Sequence, residues 1–371
     1  MHLLTNPVKD YAWGSRTDIA ELTGRPAPAP GPEAEMWLGA HPAGPSRPTG
    51  EDGRTLADLI AAEPSGLLGP ATLDAFGERL PYLLKLIAVA QPLSLQVHPS
   101  AEQAVEGHAR GVYGDPWPKP ELVCALTPFT ALAGFRPFEQ AAMLIDRLGV
   151  PGLKDVVSLL EGGAVLRALE TLLDRRQTAE QIVWAASAVH HPDYELVVRL
   201  ARRYPGDPAC LAPLLLRRHD LAPGQALFLG AGVLHCYLKG FGVEIMGGSD
   251  NVMRAGLTPK PLNVPELLRI TDPHAVPLAL EAGADGVFPT PSPEFRLRRL
   301  TATGEGGAVS PEGSLRLEGG VPRILLCTEG TATVGEVRLG RGESVFVPAA
   351  EPFVAVTTTG TVFVAEPGVP N

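Results

Sequence analysis

Pro223-Gly224-Gln225-Ala226-Leu227-Phe228-Leu229-Gly230-Ala231 reads as a tight turn feeding a short apolar strand, and the arrangement returns as Arg341-Gly342-Glu343-Ser344-Val345-Phe346-Val347-Pro348-Ala349. Counting eleven residues from the glycine of each copy lands on His235 in the first and on Phe353 in the second. A glycine turn followed by apolar strand residues is a frequent unit, so the repeat needs support from the rest of the chain. That support comes beyond about residue 287, where short strands separated by Gly-rich turns recur at 323–327, 332–334, 343–347, 353–356 and 361–365. Regular short strands of this kind indicate a sandwich or jelly roll. Two barrels of one ancestry are the expected architecture, in a fold that is mainly β.

At 371 residues the chain is too long for one ordinary core. Residues 1–135 are rich in Gly and Pro and read mostly as strands, with short helices expected at 55–62 and 99–109. The pattern changes at about Pro137. Val165, Leu166, Leu169, Leu172 and Leu173 recur at helical spacing, with arginines and acids on the other face, and Pro205-Gly206-Asp207-Pro208 breaks the run. Strand patterns return from Gln225 to Met246, and Val264-Pro265-Glu266-Leu267-Leu268 reads as a helix start. The expected organisation is a first barrel built from 1–135 with 219–290, an α-helical insert at 136–218, and a second barrel at 291–371.

Leu95-Gln96-Val97-His98-Pro99 sets an amide and an imidazole two residues apart. On a strand that spacing turns both side chains to one face. Lys119-Pro120-Glu121 adds a carboxylate, and His235 follows the turn at Gly232 on an apolar strand. Two histidines, a carboxylate and an amide oxygen suit zinc, although glutamine is a less common zinc ligand than Cys, His or carboxylate. Singly, each has a blander reading: a histidine packed in the core, a charged tripeptide in an exposed loop. Cys236 alternates to the face opposite His235 and drops out. Lys239-Gly240-Phe241-Gly242 reads as a turn; a hairpin centred on Gly240 and Phe241 would set Tyr237 opposite Glu244 and His235 opposite Met246, all facing one way. Asp250, Asn251 and Arg254 follow as a polar cluster beside that strand.

Hydrophobic content of 45% and charged content of 19% describe a soluble globular chain. A net charge of −10 argues against a broad nucleic-acid surface but not against a small anion held in a cationic pocket. Only six lysines occur against 25 arginines, and Lys119 and Lys260 both fall inside the dense motifs. The first residues lack a signal-peptide pattern, and no apolar run approaches the ~20 residues that span a bilayer. The best run, 83–90, is interrupted by Lys85. Four cysteines without a Cys-x-x-Cys pair indicate a reduced, cytoplasmic protein that does not bind membranes.

Longer motifs make the reading specific. Asp115-Pro116-Trp117-Pro118-Lys119-Pro120-Glu121, Pro92-Leu93-Ser94-Leu95-Gln96-Val97-His98-Pro99 and Glu244-Ile245-Met246 through Asn251-Val252 resemble type I mannose-6-phosphate isomerase. So do Arg254-Ala255-Gly256-Leu257-Thr258-Pro259-Lys260, Tyr11-Ala12-Trp13-Gly14, Glu35-Met36-Trp37-Leu38-Gly39-Ala40-His41-Pro42 and Gly342-Glu343-Ser344-Val345-Phe346-Val347-Pro348. The resemblance spans nearly the whole chain and is least distinctive in the helical insert. It departs at Gly230, where a proline is usual, and at Cys236, where a small alanine is common; neither is a ligand.

The resemblance implies a cupin-like jelly roll for each barrel, the N-terminal one catalytic and the C-terminal one without metal. It places one Zn2+ per chain on Gln96, His98, Glu121 and His235, and an active-site arginine at Arg254. Ser94 and Lys260 match substrate-pocket residues, with Lys260 a phosphate anchor. The implied reaction interconverts mannose 6-phosphate and fructose 6-phosphate through an enediolate. Glu244 is the preferred catalytic base, with Lys119 as the other choice. The expected partner is a small phosphosugar, with no nucleic acid and no membrane, and the expected state is a monomer. Two other readings stay open at this point: an isomerase of another phosphosugar such as glucose 6-phosphate, and a metal-binding barrel that senses a sugar without catalysis.

Overall fold

The computed structural model describes residues 1–174, 179–302 and 314–369. Most of the described chain is organised around three β-sheets. An eleven-stranded sheet is organised by one long strand, His235–Gly247. Its second half lies between Tyr82–Val89 and Glu121–Ala125, with Glu244 opposite Lys85 on one side and Val123 on the other. Its first half pairs instead with Phe129–Phe135, and at His235 with Gln96 of the strand Leu95–Val97.

The expected hairpin at Gly240 is therefore not formed. One strand runs through that point and bends between two sets of partners, with a register shift between Tyr237 and Lys239. Gly240 has φ +138°, and a Cβ there would stand 2.7 Å from the Phe129 Cα. Backbone approaching backbone so closely in that region of φ suits glycine alone. The bend also changes which residues face inward. Before it, His235 and Tyr237 look into the interior while Cys236 and Leu238 pack on the helical insert; after it, Glu244 and Met246 look inward while Val243 and Ile245 pack outward. Of the side chains that a hairpin would have set on one face, Tyr237, Glu244 and Met246 line one cavity, for a different geometric reason, and His235 stands behind its wall.

The insert runs from Phe138–Asp146 to Ala212–Leu215. The strand Leu216–Leu221 already pairs with Phe129–Phe135, so strand structure begins before residue 219. Amphipathic helices Lys154–Glu161, Val165–Leu173 and Pro192–Arg203 bury their apolar stripes in one core that also takes in Leu95, Val97, Met253 and Ala255; the helix Val264–Ile270 lies against both of the strands that carry those four, and Pro208–Leu211 of the insert lies against the second. Those four alternate with Gln96 and Arg254, so packing on that side turns both polar side chains toward the cavity.

A six-stranded sheet and a four-stranded sheet pack face to face around Leu300, Leu325, Val345, Val354 and Val364. The six-stranded sheet is buried on both faces, because Ile324, Leu326, Phe346 and Phe363 join a core with Leu84, Leu86, Leu122 and Ile245. Burial on both sides accounts for the unbroken apolar run Ile324-Leu325-Leu326-Cys327. His2–Thr5, expected in the first barrel, pairs with Ser344–Val347 and so extends this second group.

The helices Leu56–Ala62 and Ala101–Ala109 start at capping boxes on Thr55 and Ser100. Asp18–Leu22, Pro64–Leu68 and Pro70–Phe76 were not anticipated. They are too short to show a helical period, and Pro64 and Pro70 of the latter two sit where a helix start accepts them.

The bend yields a stability prediction. Gly240→Ala should lower unfolding free energy by at least ~1–3 kcal/mol in chemical denaturation, from a disfavoured φ plus the contact with Phe129. A denaturation midpoint unchanged from the parent chain would mean that the strand does not need glycine at the bend.

Candidate metal centre and active-site cavity

Glu121, His98 and His235 meet inside the first sheet group, all but fully buried. His98 Nε2 lies 3.2 Å from Glu121 Oε1, and His235 Nε2 lies 3.4 Å from Glu121 Oε2. Both ring orientations are set from behind. His98 Nδ1 donates to the Asn251 carbonyl at 2.9 Å, and His235 Nδ1 donates to the Val233 carbonyl at 2.8 Å. With the proton on Nδ1, each Nε2 turns a lone pair toward the carboxylate. Burial, reinforced by the Lys119 ammonium, holds the His98 imidazole down at about 4, so it is neutral at neutral pH.

Lone pair facing lone pair in a buried site is unfavourable unless a cation lies between them. His98 Nε2 and Glu121 Oε2 accordingly make no hydrogen bond among the described residues. The potential ligand atoms of the three residues lie within 4.8 Å of one another. Spacings of 3.2–3.4 Å match the ~3.3 Å edge of a tetrahedron with ligand bonds near 2 Å. Gln96 is placed to join them: its amide nitrogen is 3.3 Å from His235 Nε2, and a half-turn of the amide would bring the oxygen to that place. By donor type, spacing and protonation, these residues fit zinc.

A cavity of about 430 Å³ opens beside the cluster. Ser94, Gln96, Lys119, Glu121, Glu244, Arg254 and Lys260 line it, while the two histidines stand behind Glu121. Lys119 Nζ donates to Glu121 Oε1 at 2.7 Å. Burial, the largest single influence, pushes the Glu121 carboxyl up, but Lys119 together with His98 and His235 outweighs it and holds the group well below the usual carboxylate range. Ser94 Oγ donates to Gln96 Oε1 at 3.2 Å. Arg254 is the register partner of Gln96 on the neighbouring strand, and Lys260 Nζ sits 5.4 Å from the centre of the Tyr11 ring. Asn251, whose carbonyl holds His98, is itself tied by its side-chain amide to Asp115 and Trp117. The Asp115-Pro116-Trp117 and Ser249-Asp250-Asn251 stretches thus form one support for the histidine.

Comparison with known proteins agrees with this geometry. Residues 1–138 match the family model described as phosphomannose isomerase type I, catalytic domain. The mannose-6-phosphate isomerase of Escherichia coli K12 is 35% identical over 391 residues, covering 97% of this chain and 98% of the relative. The human enzyme of that name is 33% identical, covering 94% and 93%. This chain belongs to the type I phosphomannose isomerase family. Solved structures of the family superpose over the full length of both chains: an alanine mutant of the Salmonella typhimurium phosphomannose isomerase with a TM-score of 0.89 at 32% identity, and a mannose 6-phosphate isomerase bound with zinc and yttrium with 0.88 at 33%.

In this phosphomannose isomerase-family cavity the residue that sequence reasoning missed is Lys85. It is buried, with Nζ 3.0 Å from Glu244 and 3.7 Å from Glu35. Burial acts to lower its pKa, but Glu244 and then Glu35 outweigh burial, and the ammonium stays charged. Glu244 is raised above the ordinary carboxylate range by burial, with Lys85 pulling the other way. The signal was present in the sequence as the one charge inside the apolar run 83–90. Lys85 alternates with Leu84 and Leu86, which face the opposite core.

Lys85→Met should destabilise the fold by about 3–5 kcal/mol in urea denaturation, since it strands two buried carboxylates. A loss below ~1 kcal/mol would show that Glu35 and Glu244 do not depend on this cation.

Proposed function

We propose that this chain is a zinc-dependent aldose-ketose isomerase that interconverts D-mannose 6-phosphate and D-fructose 6-phosphate, with one Zn2+ held by Gln96, His98, Glu121 and His235. The observation that carries the reading is the buried His98–Glu121–His235 cluster, its lone pairs converging in the wall of a cavity that also presents cations with no ion pair among the described residues. Bound there, zinc would supply Lewis acidity to the neighbouring sugar oxygens, stabilising enediolate charge.

Glu244 takes the proton from C2 of the aldose and returns it to C1, while the proton on the C2 hydroxyl ends on the C1 oxygen. A carboxylate whose pKa is raised by burial is a better proton acceptor than one in water. Lys85 keeps that carboxylate ionised and in place. Lys119 is engaged with Glu121 at 2.7 Å, which favours Glu244 over it as the base. Arg254 carries a fixed charge beside Gln96 and acts electrostatically, since a guanidinium does not deprotonate at neutral pH. Ser94 and Lys260 hold the phosphate.

We read the two sheet groups as cupin-like jelly rolls with the metal ligands in the first alone, organised as 1–135 with 219–290, the insert 136–218, and 291–371, apart from the strand exchange at His2–Thr5. Phe353, the counterpart of His235, is 45% exposed and carries the Arg316 guanidinium 3.6 Å from its ring centre. A cytoplasmic monomer remains our reading, supported by four free, buried cysteines. Among the described residues no helix is long and apolar enough to cross a membrane. A non-catalytic sensor and an isomerase of glucose 6-phosphate are not favoured: the relatives cited above carry the name mannose-6-phosphate isomerase or phosphomannose isomerase.

His98→Ala and His235→Ala should each lose bound zinc and activity together, read by metal analysis and a coupled assay for fructose 6-phosphate; full metal occupancy in both would refute the ligand set. Arg254→Ala should lower kcat on the order of 10²–10³-fold with zinc content unchanged, as for loss of an oxyanion donor. Near-normal kcat and KM in that variant would reduce Arg254 to a surface residue.

A further inference from the structure

Five cationic side chains line the cavity, Lys85, Lys119, Arg203, Arg254 and Lys260, and they are unequally committed. Lys85 is paired with Glu244 and Glu35, and Lys119 with Glu121. Asp250, the remaining lining carboxylate, is paired with His41 at 3.4 Å. Arg203, Arg254 and Lys260 make no ion pair among the described residues. Arg254 is spoken for by position, being the strand neighbour of the ligand Gln96. A phosphate monoester carries a charge of nearly −2 at neutral pH, and Lys260 alone matches half of it.

We propose that Arg203, supplied by the helical insert, binds the substrate phosphate together with Lys260 and Ser94. The inference rests on the isomerase reading and extends it to a segment that lies outside the metal-binding strands. Arg203 is the last residue of the helix Pro192–Arg203, where a cation also suits the helix dipole. The turn after it is fastened to both segments that carry the other two groups. Tyr204 Oη donates to the Pro92 carbonyl at 2.9 Å, two residues ahead of Ser94. Asp207 Oδ2 accepts from the Leu257 N–H at 2.7 Å, between Arg254 and Lys260. Leu257 has φ +56°, a disfavoured value for a branched side chain, and the Asp207 bond helps hold it there. The turn therefore bridges the Ser94 and Lys260 walls, and Arg203 stands on that bridge. Arg203 is exposed at the cavity rim, and its planar fork of N–H donors suits a phosphate.

The test uses the full-length zinc-loaded protein, with mannose 6-phosphate as substrate and inorganic phosphate as competitive inhibitor. Arg203→Ala should raise KM about tenfold, as for loss of one charged hydrogen bond, and weaken phosphate inhibition by a similar factor while kcat changes less than about twofold. Arg203→Lys should recover part of the loss, and Lys260→Ala should shift both constants in the same direction. If Lys260→Ala raises both constants and Arg203→Ala raises neither, the assignment of Arg203 is overturned and the isomerase reading stands. A kcat loss at unchanged KM in Arg203→Ala also overturns it. A parent chain that does not isomerise mannose 6-phosphate overturns the isomerase reading itself, and this proposal with it.

Discussion

Three carboxylates, Glu35, Glu121 and Glu244, are buried in the interior of one sheet group, and much of the surrounding structure answers the cost of putting them there. An unpaired buried carboxylate would take up a proton or unfold its surroundings. Lys85 reaches two of the three and Lys119 the other, which leaves the interior one charge short. The deficit is concentrated where Glu121 Oε2 and His98 Nε2 find no hydrogen-bond partner among the described residues. A dication at that point turns a net deficit into a net positive charge. That sign is the one needed to bind a phosphosugar and to stabilise an enediolate.

Alternation supplies the positions, and the bend at Gly240 makes alternation sufficient. Strand residues facing out of the cavity serve one core shared with the six-stranded sheet and another shared with the helical insert. Leu84, Leu86, Leu122, Val243 and Ile245 anchor the first; Leu95, Val97, Cys236 and Met253 anchor the second. With both outer faces buried, a one-residue slip would drive Lys85, Glu121 or Glu244 into an apolar core, so the register of the site is enforced from outside it. The insert, the least distinctive part of the sequence, has a structural role here: with the helix Val264–Ile270 it builds the core behind the strands that carry Gln96 and Arg254.

Much of this was legible in the sequence where a local rule decides it. The two-residue spacing of Gln96 and His98, the short helices at 55–62 and 99–109, and the helical period from Val165 to Leu173 all express short-range geometry. Glu244 reached the right cavity from a wrong premise, because a hairpin and a bend at a glycine both return the strand to the same interior. Lys85 was read only as an interruption of an apolar run, since its partners Glu35 and Glu244 are distant in sequence and meet it through strand pairing. The exchange of His2–Thr5 into the second sheet group was hidden for the same reason. Arg203 carries no local signal at all, and only the hydrogen bonds of Tyr204 and Asp207 place it.

The central claim is that one metal ion completes a charge-deficient cluster in the first sheet group and nowhere else. Anomalous diffraction from a crystal of the zinc-loaded protein, with data collected on both sides of the zinc edge, tests it most directly. The account predicts a single strong peak per chain, enclosed by His98 Nε2, His235 Nε2, a Glu121 carboxylate oxygen and the Gln96 amide oxygen. An absent peak there, or one of equal strength between the six- and four-stranded sheets, would contradict it.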